Sequence, residues 1–282
     1  MTSQRQDYEL ATAPGRSVHV TTRQAQSDTT LFFIHGGGGN KEQWREQIRH
    51  FSNQPFNSVA WDAFGHGRSP TSRREEDFHA SAFIHDLATV FARHKTQKNI
   101  VIAHSFGCRL FLAWLLQEWS RHQTLPVDGD VLLGPAPHET RRKGLFGNWM
   151  DNLPLPAMEL LRPLLGKRFE KLAWHESADP ALLRQERLAT RGNSLFMMRA
   201  MLENAPVFPA SALRALPDFP LALLGGQHDG LVPAATLEAI QAARAGSTST
   251  ILANCAHQIM LEKPEDTNAA IERIIQQATA RA

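Results

Sequence analysis

At 282 residues and 31.5 kDa, with 42% hydrophobic and 21% charged residues, the chain can bury a large core and is too apolar for intrinsic disorder. Thirty Lys+Arg against 28 Asp+Glu leave a formal net charge of +2, without the basic excess that nucleic-acid binding requires. The first residues hold no apolar leader core and no stretch approaches bilayer-spanning length, so the expectation is a soluble cytoplasmic monomer or homodimer with no stable membrane insertion. The two cysteines, Cys108 and Cys255, are too few for a disulfide framework or a paired-thiolate zinc site. Cys108 sits on an apolar run and is expected to be a buried small hydrophobe.

Short β-rich runs alternate with segments of helical period, the pattern of a mostly parallel sheet covered by helices, which makes the fold class α/β. Tyr8 to Thr12 and Ser17 to Thr22 read as an opening hairpin. Further strands are expected at Leu31 to Ile34, Ser58 to Trp61, Ile100 to Ala103, Val131 to Leu133, Leu221 to Leu224 and Thr250 to Ala253, eight in all. The runs at 31–34, 100–103 and 221–224 are continuously apolar, as strands buried on both faces are, and so belong at the centre. Helices are expected over Glu42 to Phe51, Ala80 to His94, Ser105 to Trp119, Ala234 to Ala243 and Glu265 to Gln277. In the second, Phe83, Leu87, Val90 and Phe91 form a core-facing stripe.

From His138 to Leu216 the alternation stops, and a helical or irregular stretch punctuated by Pro154, Pro156, Pro163 and Pro180 intervenes. It reads as an inserted cap, with residues 1–137 and 217–282 as the core domain. It carries 12 Lys+Arg and 8 Asp+Glu, against 18 and 20 in the remainder, so the insertion holds the positive charge. Its apolar residues, Leu160, Leu161, Leu164 and Leu165 among them, are expected mostly to pack onto the body. The Met-rich stretch from Leu195 to Leu202 either does the same or lines an acyl pocket, with Met197 and Met201 the candidates for substrate contact. The Arg141-Arg142-Lys143 cluster beside Leu145 and Phe146 is either a solvated basic loop or a contact for an anionic membrane or substrate carboxylate.

Ala103-His104-Ser105-Phe106-Gly107 follows a buried strand directly and opens a helix, the setting of a nucleophile elbow, whose sharp turn demands small flanking residues. A serine hydroxyl needs a base, and the base needs an orienting carboxylate. Asp229, past the seventh strand, and His257, past the eighth, supply them in chain order at the strand ends where a doubly wound sheet builds its site. Asp128 and Asp130 precede a strand and are poorer acids. An acyl-transfer oxyanion needs fixed N–H donors. The backbone of Gly37, in His35-Gly36-Gly37-Gly38-Gly39, and that of Phe106 could provide them. His35, Gly36, Gly38 and His104 flank these donors and the nucleophile and complete the candidate substrate-binding set. No Gly-Lys-Ser/Thr occurs and Lys41 stands where the last glycine of G-x-G-x-x-G would be, which argues against phosphate. His66, in Asp62 to Ser69, reads as a loop-shaping residue. No metal-binding histidine pattern and no cofactor motif is present.

The motifs HGGGGN at 35–40, DAFGHGRS at 62–69, AHSFG at 103–107, GGQHDGLVP at 225–233 and CAHQIMLEKPE at 255–265 together resemble the α/β-hydrolase superfamily, serine-hydrolase type. Within it the chain looks most like the abhydrolase domain-containing proteins. Arg191-Gly192-Asn193-Ser194 and Met198-Arg199-Ala200-Met201 are similar to that group. The resemblance implies an eight-stranded sheet, a helical cap between strands six and seven, and Ser105, Asp229 and His257 as a catalytic triad. Relatives are associated with acyl-lipid hydrolysis or lysophospholipid acyl transfer, some with an H-x-x-x-x-D motif at the histidine; here Glu262 stands in place of the aspartate. Dehalogenases and epoxide hydrolases of the superfamily use an aspartate nucleophile, where this chain has Ser105. The leading expectation is cleavage of a carboxylic ester or thioester of a small or lipid acyl group. Carbon–carbon bond hydrolysis, lysophospholipid acyl transfer and a non-catalytic binding role on a hydrolase scaffold are the alternatives.

Overall fold

The computed structural model describes residues 4–135 and 153–281; the Arg141–Lys143 cluster and the start of the inserted segment lie outside the described residues. Eight strands, β1 (Gln4–Ala13), β2 (Arg16–Gln24), β3 (Thr29–Ile34), β4 (Asn57–Asp62), β5 (Lys98–His104), β6 (Gly129–Leu133), β7 (Leu221–Gly226) and β8 (Thr248–Leu252), form one sheet. Their order is β1-β2-β4-β3-β5-β6-β7-β8. The opening hairpin β1–β2 is antiparallel and β2 joins β4 antiparallel; every later pairing is parallel.

The helices of the body are α1 (Arg45–Phe51), α2 (Ala80–His94), α3 (Phe106–His122), and, after β7, α7 (Ala234–Ala243), α8 (Ile259–Glu262) and α9 (Pro264–Ala280). Between β6 and β7 come α4 (Leu155–Ala173), α5 (Pro180–Thr190) and α6 (Leu195–Glu203). The central strands feed both faces by their two-residue period. Val101 and Ala103 of β5 join a core with Phe83, Leu87, Val90 and Phe91 of α2 and Phe111 and Leu115 of α3. Ile100 and Ile102 join the opposite core with Trp44, Phe51, Ile271 and Ile274. Among the described residues no helix is long and apolar enough to cross a membrane.

The expectation that the leucines of 160–165 pack inward fails for two of them. Leu160 is 82% exposed and Leu164 59%. At 100° per residue the buried positions Met158, Leu165 and Ala173 define one face of α4, and Leu160 and Leu164 fall on the other. Replacing both exposed leucines with glutamine should shift stability by less than about 0.5 kcal/mol. Leu165→Ala, in contrast, should cost about 2–5 kcal/mol; urea unfolding of the two variants checks the contrast.

Asp130 lies inside β6, on the face shared with Leu132, fully buried, and neither carboxylate oxygen has a hydrogen-bond partner. Burial drives its pKa well above the ordinary range, with only partial relief from the charge of Arg244. A folded-state value above the unfolded one means that Asp130 contributes stability below about pH 4 that is lost as pH rises through its folded value. Asp130→Asn should therefore raise stability near pH 7 by roughly 1–3 kcal/mol and do little at pH 3.5. Melting curves at the two pH values test this, and equal shifts at both would contradict it.

Candidate active site

The apolar strand β5 runs straight into α3, and the reversal is taken by Ser105 alone, at φ 51° and ψ −115°. A positive φ on a non-glycine residue is strained, and here it is held: the Ser105 N–H donates to Leu133 O of the adjacent strand at 2.9 Å. The turn leaves no room at Gly107, where a Cβ would lie 2.6 Å from His35 O. Phe106 begins α3, so its N–H is one of the donors that helix geometry leaves without an intrahelical acceptor.

Asp229 and His257 sit on the loops after β7 and β8, which are paired in parallel, so the loops emerge side by side. His257 Nδ1 and Asp229 Oδ2 are 2.7 Å apart and both side chains are almost fully buried. The other carboxylate oxygen, Oδ1, accepts from the N–H groups of Leu231 and Val232, both at 2.8 Å. With both oxygens engaged, the carboxylate is fixed and His257 Nδ1 is the protonated nitrogen of the neutral ring, which leaves the lone pair on Nε2. Gly134, at the end of β6, passes so close beneath that a Cβ there would lie 3.1 Å from the imidazole Cε1. Sequence reading missed Gly134; its one signal is a glycine directly after an apolar strand.

The glycine loop after β3 is braced by histidines. Ala63 N–H donates to His35 Nε2 at 2.9 Å, so His35 Nδ1 carries the proton and donates to Gly36 O at 2.7 Å. Gly38 N–H donates to His66 Nε2 at 3.1 Å, while His66 Nδ1 faces Phe64 O at 3.1 Å. Burial keeps both rings neutral, with the pKa of His35 lowered and that of His66 lowered to about 3. Both nitrogens of each ring are thus committed to backbone, and what His35 supplies is loop shape. His104 donates from Nε2 to His257 O at 2.9 Å, and its buried Nδ1 has no partner. Burial pushes its pKa well below the ordinary value.

A second brace was not legible in the sequence. Lys41 Nζ lies 2.8 Å from Asp62 Oδ2, with both side chains buried. Asp62 also accepts from Lys41 N–H at 2.8 Å and from Arg68 N–H at 2.9 Å. Burial alone would raise the pKa of Asp62, but the neighbouring His35 ring and then these donors hold it below the usual carboxylate range.

Helix α6 lies over the glycine loop. A Cβ on Gly37 would be 2.7 Å from Met201 Cε and one on Gly38 3.1 Å from Met198 Cε. Met197 stands likewise over Gly65, and Asn193 Nδ2 donates to Gly38 O at 2.5 Å. Behind Gly37 and Phe106 remains a cavity of about 20 Å³, lined also by Trp61, Phe83, Leu87 and Leu110, with room for one water.

The site thus joins a serine at positive φ in a strand-to-helix turn to a sheet edge that carries a buried histidine–carboxylate pair. The chain is 27% identical to Protein ABHD8 of Mus musculus over 93% of its own length and 60% of that protein, so it spans about 60% of the curated relatives' length. It is 24% identical to Epoxide hydrolase 3 of Xenopus tropicalis, over 93% of this chain and 76% of that one. Among solved structures it resembles an esterase from Exiguobacterium antarcticum, with a TM-score of 0.80 at 16% identity, covering 97% of this chain and all of the other. A model of the alpha/beta hydrolase family matches residues 31–270, which takes in the sheet from β3 to β8, the Ser105 turn and the loops of Asp229 and His257, and the chain belongs to that family.

Proposed function

We propose that the protein is a serine hydrolase that cleaves a carboxylic ester or thioester through an acyl-serine intermediate, without a cofactor. Ser105 attacks the carbonyl while His257 Nε2 takes its proton; Asp229 holds the imidazole and stabilises the imidazolium. The N–H groups of Gly37 and Phe106 receive the oxyanion. His257 then returns the proton to the leaving group and activates the water that releases the acid. In the insertion read at 138–216, the described helices α4, α5 and α6 act as the cap. The observations that carry this reading are the buried 2.7 Å pair of Asp229 and His257 and a serine at positive φ in the turn between strand and helix. Epoxide hydrolysis by the superfamily's usual route calls for an aspartate where Ser105 stands, so the esterase relatives are the better guide.

Met201 and Met198 close the space above the glycine loop, so an acyl group enters only if α6 shifts or these flexible side chains swing aside. The test is labelling with a fluorophosphonate, mapped by peptide mass spectrometry. The expected result is one adduct, on Ser105, absent from His257→Ala. Folded protein that takes no adduct, or takes it elsewhere, overturns the proposal.

A further inference from the structure

The loop that carries His257 is held by a glutamate that the proposed chemistry does not use. Glu262 ends α8, and its carboxylate turns back across the preceding residues. Oε1 accepts from Ala256 N–H at 3.3 Å and Gln258 N–H at 3.2 Å, the two residues on either side of His257. Oε2 accepts from Ala256 N–H at 3.3 Å and from His175 N–H at 2.9 Å. His257 N–H goes to Ala173 O at 3.0 Å, and Gln258 N–H shares that carbonyl at 3.3 Å. Three consecutive N–H groups around the histidine are thus divided between one carboxylate and the last residue of α4. Through His175 the same carboxylate also holds the chain that leaves α4. A neutral amide in its place would offer one acceptor and turn an NH₂ toward N–H donors; an aspartate would fall one methylene short.

We infer that Glu262 is a positioning residue for His257, fixing the backbone on either side of the imidazole that pairs with Asp229 and tying that backbone to the C-terminal end of α4. The inference rests on the reading of Ser105 and His257 given above. It also assigns the acid of the H-x-x-x-x-E pattern a task different from contact with a substrate: both oxygens are spent on backbone N–H groups. Loss of the carboxylate slackens 256–258, lets the ring drift from Asp229, and removes a negative charge from the loop; both effects disfavour the imidazolium.

The experiment is the rate of fluorophosphonate labelling of the full chain from pH 5 to 9, for wild type, Glu262→Gln and Glu262→Asp, with melting curves to establish folding. Glu262→Gln is expected to label at least tenfold more slowly at its plateau, with the midpoint of the ascending limb moved to lower pH and with the half-saturating probe concentration unchanged. Glu262→Asp, which keeps the charge but not the reach, should fall between. A folded Glu262→Gln with wild-type rate and midpoint overturns the inference while leaving the serine-hydrolase reading intact. Should that variant not fold, Glu262→Asp is judged by the same criterion. Wild-type protein that takes no adduct at Ser105 overturns the hydrolase reading, and the inference with it.

Discussion

Ser105→Ala is expected to lower turnover of any ester the protein cleaves by about a millionfold, because nucleophile and base act as one unit and the loss of either removes the covalent route. His257→Ala should cost a similar factor, and the double variant little more. Asp229→Asn is the sharper probe, with an expected loss of about ten-thousandfold. The reason lies in how Asp229 is held. Oδ1 takes two backbone N–H groups, so an asparagine would place its oxygen there and turn its NH₂ toward His257 Nδ1. That amide can only donate, which would shift the imidazole proton to Nε2, the atom that must act as base. Steady-state kinetics on a thioester and ester panel, with melting curves to exclude unfolding, measures all four variants. Asp229→Asn at a tenth of wild-type turnover or better would show that some other group orients the histidine.

Lys41→Met is the second large effect, and it is on stability. Lys41 and Asp62 are both almost completely buried and 2.8 Å apart. Removing the ammonium leaves the Asp62 carboxylate with backbone donors only, and stranding one member of a buried pair costs about 3–5 kcal/mol. The pair also ties residue 41, at the end of the glycine loop, to the 62–69 turn, so folded Lys41→Met should lose labelling rate beyond its loss of stability. Denaturant unfolding measures the first effect. A cost under about 1 kcal/mol would mean that water reaches Asp62. Lys41→Met/Asp62→Asn should recover part of the loss, since the stranded charge is gone while an acceptor remains for the N–H groups of Lys41 and Arg68.

The sheet, the Ser105 turn and the pairing of Asp229 with His257 were readable along the chain because strand periodicity and turn sterics are local. Continuous apolar runs at 31–34, 100–103 and 221–224 mark strands buried on two faces; the first two are the central pair, whereas the third, expected at the centre, lies one place from the β8 edge, because helices cover both faces of the sheet there as well. The serine between a strand and a helix, flanked by Ala103 and Gly107, announces a turn too tight for side chains, and Gly107 indeed packs against His35 O. Asp229 and His257 could be placed by asking which loops leave the same edge of a parallel sheet. Tertiary structure decided what depends on meetings between distant residues. Whether a leucine of α4 faces inward depended on how the helix is rolled, and Leu160 and Leu164 came out exposed. His66, Lys41 and Glu262 each have one partner that is distant in sequence, 28, 21 and 87 residues away, and a buried polar side chain reveals nothing in sequence of whom it satisfies. The seating of Met198 and Met201 on the glycine loop is likewise a contact across more than 150 residues. Periodicity and steric demand are written into neighbouring residues; the satisfaction of buried hydrogen bonds and the closing of a site are settled only when the chain has folded onto itself.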